Sequence, residues 1–520
     1  MNVLGARASG ASVGIFAAAA ATLVAVFKGD GNPAVALAPV LVLLGAAAVW
    51  KLPLRYTVVA LLLAVLCLDN PFEIPFNHMW ESPIGPLGRL LYDNLHKFTG
   101  ISALRFSLLT VLILFLLAVA VYRRARYSGV DRGVLETPRC LKLALLLCFL
   151  TLVGLELMGI LRGGDMAQSL WQIQCLLFTP LVAALWQFGV RGPKDFRAVG
   201  RVVLVSACFK VALGAYFLYR IARPSGVEPP YVTQHSDSLL FVTGVMIAVA
   251  LWMERPSVKH TLLVLGVVPV LVFGIVINDR RLAWVSLGAS LLTVFLMSPA
   301  NRSKRFIART ALMMVPLLIP YTLLGWSSQS KIFKPVQVVR SVVANDASGS
   351  DADSSTEFRN QENYNLIRTW MPNPVFGSGF GHEYNEVILL PDISRFFPAY
   401  RFVPHNSVLW LWGIGGVVGF SGIWLFLVLG VMLAARGYRA AKVPEDRAAA
   451  LVCICIVVSF LNQAFGDMGT QSWISVFLVA PAVVMGAKLA VSTGAWPAHR
   501  LQLRTGARPL RDLSPAAVAA

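Results

Sequence analysis

Hydrophobic residues come in long unbroken runs, and the polar residues are gathered into the stretches between them. Fourteen runs stand out, roughly 11–27, 33–50, 54–69, 104–122, 139–161, 170–190, 199–220, 238–254, 260–278, 281–298, 305–325, 405–435, 446–465 and 470–492. Such runs match the length at which a helix crosses a hydrocarbon core of about 30 Å. The pattern predicts an all-α, polytopic membrane bundle of about 14 helices. One polar stretch, Trp326 to Pro404, breaks it. The predicted organisation is therefore a first bundle part over 1–325 with about eleven spans, a large loop with short helices over 326–404, three last spans over 405–492, and a tail over 493–520. Only Arg7 precedes the first run, which is not expected to be a cleaved signal peptide, although its Ala-rich residues 17–21 resemble a cleavage site; the later runs predict a multi-pass protein either way.

Composition agrees: 57% of residues are hydrophobic, 14% are charged, and the mean hydropathy is +0.68, against about a quarter charged in soluble globular chains. The net charge of +19 is unevenly placed. Lys and Arg gather at 51–55, 122–142, 191–201, 254–260, 301–309, 436–447 and from Arg500 onward. With fourteen spans, all of these fall on one side, together with both termini. Short cytoplasmic loops collect Lys and Arg, so that side reads as cytoplasmic and the loop 326–404 as extracytoplasmic. The basic collar suits contact with anionic membrane lipids. Dispersed over short loops, it does not suit nucleic acid. The seven cysteines lie in or beside apolar runs and read as small core residues, and no His spacing suggests a metal site.

Loops of this length are usually functional or disordered. Residues 327–343 mix apolar and basic residues, as a segment lying in the membrane interface does. Residues 345–356 are small and acidic and predict a flexible linker or lid. EFRNQENYNLIRTWM (357–371) predicts a helix in which Phe358, Leu366, Ile367, Trp370 and Met371 share a face, and Arg359 and Glu362, three apart, pair across one turn. NPVFGSGFG (373–381) sets Gly377, Gly379 and Gly381 in a turn that is either ordinary or allows backbone to approach a ligand.

PHNSVLWLWGIGGVVGF (404–420) puts His405 at the mouth of a helix. The helix dipole there disfavours the imidazolium, leaving a neutral ring that can accept a proton; the alternative is a capping or interfacial histidine. Arg280 and Arg281 lie at the same face between two close spans. They are either snorkelling anchors or phosphate ligands, for which the planar guanidinium is suited. Arg162 and Asp467 fall on that face too, as do His78, His96, His235 and His382. Glu156 and Lys210 lie inside spans, where burial is costly unless they are paired, and each is a candidate partner for the other.

NDRRLAWVSLGASLL, then a large loop, then NPVFGSGFG and PHNSVLWLWGIGGVVGF, resembles the O-antigen ligase/polymerase superfamily, the Wzy_C domain, over about 270–425. The resemblance implies a GT-C-like membrane glycosyltransferase of the bacterial inner membrane. Its site would face the periplasm, take glycan from undecaprenyl pyrophosphate and pass it, with inversion, to an acceptor hydroxyl on a glycan or on lipid A-core. No cofactor, nucleotide sugar or metal is implied. Matched by position, the family's histidine falls on His405 and its helix-start arginine on Arg281, with Arg280 adjacent. Its loop arginine falls on Arg359 or Arg368. Arg162, Gly377, Gly379 and Gly381 complete the expected pyrophosphate and glycan contacts. The number of spans favours a polymerase of O-antigen or exopolysaccharide repeats over a ligase. The rival from another class is a secondary transporter, although no symmetry between halves is visible.

Overall fold

The computed structural model describes residues 33–70, 83–100, 105–126, 131, 133–226, 229, 231–328, 330–343, 351–394, 397 and 399–497, together with 16, 19–23 and 26. The described residues form seventeen α-helices. The first five are α1 (Pro33–Lys51), α2 (Leu54–Cys67), α3 (Gly85–Tyr92), α4 (His96–Thr99) and α5 (Leu108–Ala125). The middle of the bundle is α6 (Arg139–Leu161), α7 (Met166–Gly189), α8 (Phe196–Tyr216), α9 (Asp237–Glu254), α10 (Val258–Asn278), α11 (Arg281–Met297) and α12 (Arg302–Gly325). The loop contributes α13 (Lys334–Val343) and α14 (Asp351–Trp370), and the chain closes with α15 (Ser407–Ala440), α16 (Pro444–Gly466) and α17 (Trp473–Ser492). No strand occurs among the described residues.

The expected polytopic helical bundle is what forms. Among the described residues, ten spans are long and apolar enough to cross a membrane, and α2 and α11 are shorter apolar helices. Of the predicted run 11–27 only residues 16, 19–23 and 26 are described, and His78 lies outside the described residues.

The centre of the bundle is α17, enclosed by α7, α15 and α16. Small residues let these backbones approach: a methyl on Gly430 would come within 2.7 Å of Val483, and one on Gly486 within 2.8 Å of Ala434. Without a hydrophobic drive inside lipid, close packing of this kind is what holds membrane helices together. At the other extreme, only Ser303 and Gly325, near the two ends of α12, are buried.

The two ends of the bundle differ. One carries the basic connections, tied by ion pairs between neighbouring loops. Arg255 meets Glu445 at 2.5 Å and Arg447 meets Glu254 at 2.8 Å, while Arg124 and Lys142 both reach Glu136. The other end receives α14 and the starts of α9, α11, α15 and α17.

Three local expectations are corrected. Helix α14 begins at Asp351, so residues 351–356 of the supposed linker are helical; once a helix is nucleated, extension costs little. Its inward face is also more polar than expected. Glu362 and Asn365 are buried with Leu366, whereas Ile367 and Met371 are exposed. Finally, Glu156 and Lys210 do not pair. Glu156 accepts a hydrogen bond from Ser169 at 2.7 Å, and Lys210 is held by Asp69 and Asp237.

Candidate active site

Helix α14 lies across the mouth of α15 and is fastened there by polar side chains. Glu362 is 1% exposed. Its carboxylate accepts the His405 backbone N–H at 3.1 Å and lies 3.2 Å from His405 Nδ1. The Asn406 amide donates to Asn363 Oδ1 at 2.9 Å, and Asn406 Oδ1 caps α15 by accepting from Val408 and Leu409 N–H. Asn365 clamps the following loop through both the N–H and the carbonyl of Ile388. The expected Arg359–Glu362 pair does not form, because Glu362 turns inward to His405 while Arg359 reaches Asp467 at 3.9 Å.

The His405–Glu362 contact fixes the imidazole. A carboxylate only accepts hydrogen bonds, so Nδ1 carries the proton and Nε2, on the opposite edge of the ring, is left as the basic nitrogen. The Phe358 ring and the imidazole meet in a T-shaped arrangement with centroids 5.8 Å apart. The His405 carbonyl accepts the Met468 N–H at 2.8 Å, which ties the α16–α17 corner to the site.

His405 opens onto a cavity of about 220 Å³ lined by Arg281, Thr356, Arg359, Asn363, Leu282 and Phe465, among others. Arg281 is the first residue of α11 and donates to Thr356 Oγ1 at 3.2 Å. The cavity thus sets two guanidinium groups beside an imidazole held by a carboxylate, with apolar residues on α11 and α16 forming another wall.

A second cluster stands next to it. Arg280 stacks over the Tyr231 ring at 3.8 Å and donates to His235 Nε2. His235 Nδ1 lies 2.9 Å from Asp467 Oδ1. Burial alone would raise the Asp467 carboxyl, but His235, Arg280 and Arg359 outweigh it and hold the group well below the usual carboxylate range. Burial lowers His235 and the Arg280 charge adds to that, against the pull of Asp467. Between the depressed folded value and the unfolded value of about 6.5 the unfolded chain binds more protons, so this contribution is present above about pH 6.5 and is lost as the pH falls below it. His235→Asn should therefore lose less of its thermal midpoint than the parent protein between pH 7.5 and 5.5, as read by scanning calorimetry in detergent.

The remaining sequence candidates lie elsewhere. Arg368 faces outward, 3.0 Å from the Tyr364 hydroxyl. Arg162 donates to the Gly377 carbonyl at 2.6 Å and braces the glycine turn. That turn is stitched to a break in α15, where Gly416 has φ 56°. Ser378 and Gly379 N–H groups donate to Gly413 and Ile414, and Val417 and Val418 return bonds to Pro374 and Val375. A methyl on Gly379 would sit 2.4 Å from the Gly159 nitrogen of α6. The close backbone approach expected of these glycines is thus made to neighbouring helices. Arg281, Arg359 and His405 come together at the cavity, Arg280 stands just behind it, and Arg162, Arg368, Gly377, Gly379 and Gly381 do not line it. Sequence reasoning missed Glu362 and Thr356 as site residues. The available signal was Glu362 falling on the same helical face as Phe358, Asn365 and Leu366.

Residues 266–423 match the family model Wzy_C, described as O-antigen ligase, so the resemblance read from the sequence is present in the chain over that segment. This supports a membrane enzyme of O-antigen ligase or polymerase type. The match ends in α15 and contains Arg280, Arg281, Arg359, Glu362 and His405, while His235 and Asp467 lie outside it. No curated protein matches the chain.

Proposed function

We propose that this protein is an inverting glycosyltransferase that polymerises glycan repeats from a polyprenyl-pyrophosphate carrier at the periplasmic face of a bacterial inner membrane. The observation that carries the proposal is the convergence of the Glu362-held His405 with Arg281 and Arg359 on one cavity at the less basic end of the bundle. The charge asymmetry argues that this end is periplasmic and that both termini are cytoplasmic.

The chemistry follows from the groups. His405 Nε2 takes the proton of the acceptor hydroxyl as its oxygen attacks the anomeric carbon. The bond from that carbon to the pyrophosphate oxygen breaks on the opposite face, which inverts the configuration. The leaving group departs as a pyrophosphate anion on its lipid. Arg281 and Arg359, fixed in place before reaction, neutralise the charge that develops there. Glu362 stabilises the imidazolium formed in the same step. The apolar residues Leu282, Val285 and Phe465 give the lipid end of the donor a compatible wall.

The test is transfer by purified protein in lipid nanodiscs, given a synthetic polyprenyl-pyrophosphate-linked repeat. Longer lipid-linked chains with an inverted new linkage are expected, and Arg281→Ala should slow their formation about 10²- to 10³-fold. Retention of configuration would refute the direct displacement. Movement of intact donor across vesicles without transfer would refute the enzyme reading and favour a transporter. The ligase reading is favoured by the description of the matched family. It predicts that a deletion strain accumulates full-length chains on the lipid carrier, whereas loss of a polymerase leaves single repeats.

A further inference from the structure

We infer that a buried polar network, running from the end of α2 to the end of α10, positions the Arg280–Arg281 corner and makes Asn278 a positioning residue for the pyrophosphate-binding Arg281. The pyrophosphate role of Arg281 rests on the proposed function; the network itself does not.

The network begins at Lys210 of α8, which is fully buried and held between Asp69, just beyond α2, and Asp237, the first residue of α9. Asp237 Oδ2 accepts the Gln234 N–H at 3.1 Å. The Gln234 side chain donates to the Asn70 carbonyl at 3.1 Å. Asn278 then closes the path. Its Nδ2 donates to the Gln234 carbonyl and to Ser238 Oγ, each at 3.3 Å, and its Oδ1 accepts the Thr233 N–H at 3.3 Å. Asn278 is the last residue of α10, and Asp279 after it turns the chain in the left-handed region with φ 55°. Arg280 and Arg281 follow directly.

The two partners of the Arg280–His235 contact are thus carried by two short backbone segments, 233–237 and 279–281, and Asn278 is the bond between them. Apolar packing could join α8, α9 and α10 without this cluster. Buried ionic groups are weak sources of stability compared with well-packed apolar side chains of similar volume. What directional bonds supply, and apolar contacts do not, is a defined register of one segment against the other. An arginine that must meet a phosphate oxygen needs that register, since misplacement by about 1 Å can cost 10²-fold in rate.

Asn278→Ala removes all three bonds without touching the cavity lining. In full-length protein in nanodiscs, backbone amides of 232–236 and 279–283 should exchange with deuterium about tenfold faster, with the rest of the bundle unchanged. Unchanged exchange at these segments would overturn the inference, and this readout requires no catalysis. With a synthetic polyprenyl-pyrophosphate-linked glycan as donor, Asn278→Ala should raise the donor KM about tenfold. In an Arg281→Ala background the same change should alter it less than about twofold, because neighbours acting through one another are not additive. An equal factor in both backgrounds, or a fall in thermal midpoint with an unchanged KM, would assign Asn278 a merely structural role. If the parent protein itself transfers nothing from this donor, the proposed function fails, while the exchange measurement still decides the positioning.

Discussion

His405→Ala protein that inserts normally is expected to lose about 10²- to 10⁴-fold in transfer rate, the usual worth of a general base. That corresponds to about 3–5 kcal/mol of barrier. The donor KM should change little, because the imidazole meets the acceptor and not the pyrophosphate. Glu362→Gln keeps an oxygen to accept the Nδ1 proton but removes the charge that favours the imidazolium, so a smaller loss of about tenfold is expected. The double variant should be no slower than His405→Ala alone, since Glu362 acts through the ring it holds. Single-turnover rates on the nanodisc-bound protein measure all three. A His405→Ala protein with full activity removes His405 from the mechanism.

Asp467→Ala is expected to have the largest effect on stability of any single substitution near the site. Asp467 is the carboxylate against which His235, Arg280 and Arg359 are set. Removing one partner from a buried charge cluster leaves the others uncompensated and costs about 3–5 kcal/mol. The inserted protein should melt at a lower temperature, and the loss should be partly relieved by added inorganic pyrophosphate if the arginines bind that group. Asp467→Asn, which retains a hydrogen-bond acceptor for His235 Nδ1, should lie between the two. Thermal midpoints with and without pyrophosphate test this. A midpoint equal to that of the parent protein would show that Asp467 does not hold the cluster together.

The bundle was legible because lipid imposes a strong rule: each span must be long, apolar and helical. His405 and Arg281 were legible for a related reason. Each begins or precedes a span, so hydropathy alone places it at a membrane surface. Their partners were not. Local spacing favours Arg359 with Glu362, yet Glu362 meets a residue 43 positions away, a contact set by how α14 is laid on the bundle and by nothing in its own sequence. Lys210 illustrates the same limit. Its acidic partners come from α9 and from the residues after α2, and which helices adjoin α8 cannot be read from periodicity. The glycine turn was visible as a place of close approach, but the sequence does not say whether a ligand or another helix does the approaching.

The polar fastening of α14 constrains how related chains can vary in length. Thr356 faces Arg281 and Glu362 faces His405 from the same helix. One residue inserted between them would turn one contact about 100° away from the other, and no sliding of an apolar face could absorb the change. Insertions and deletions are therefore expected to accumulate ahead of α14 and in the loop after it, and to be absent from residues 356–362. The loop can lengthen or shorten while this short helical step remains a fixed ruler between the arginine and the histidine.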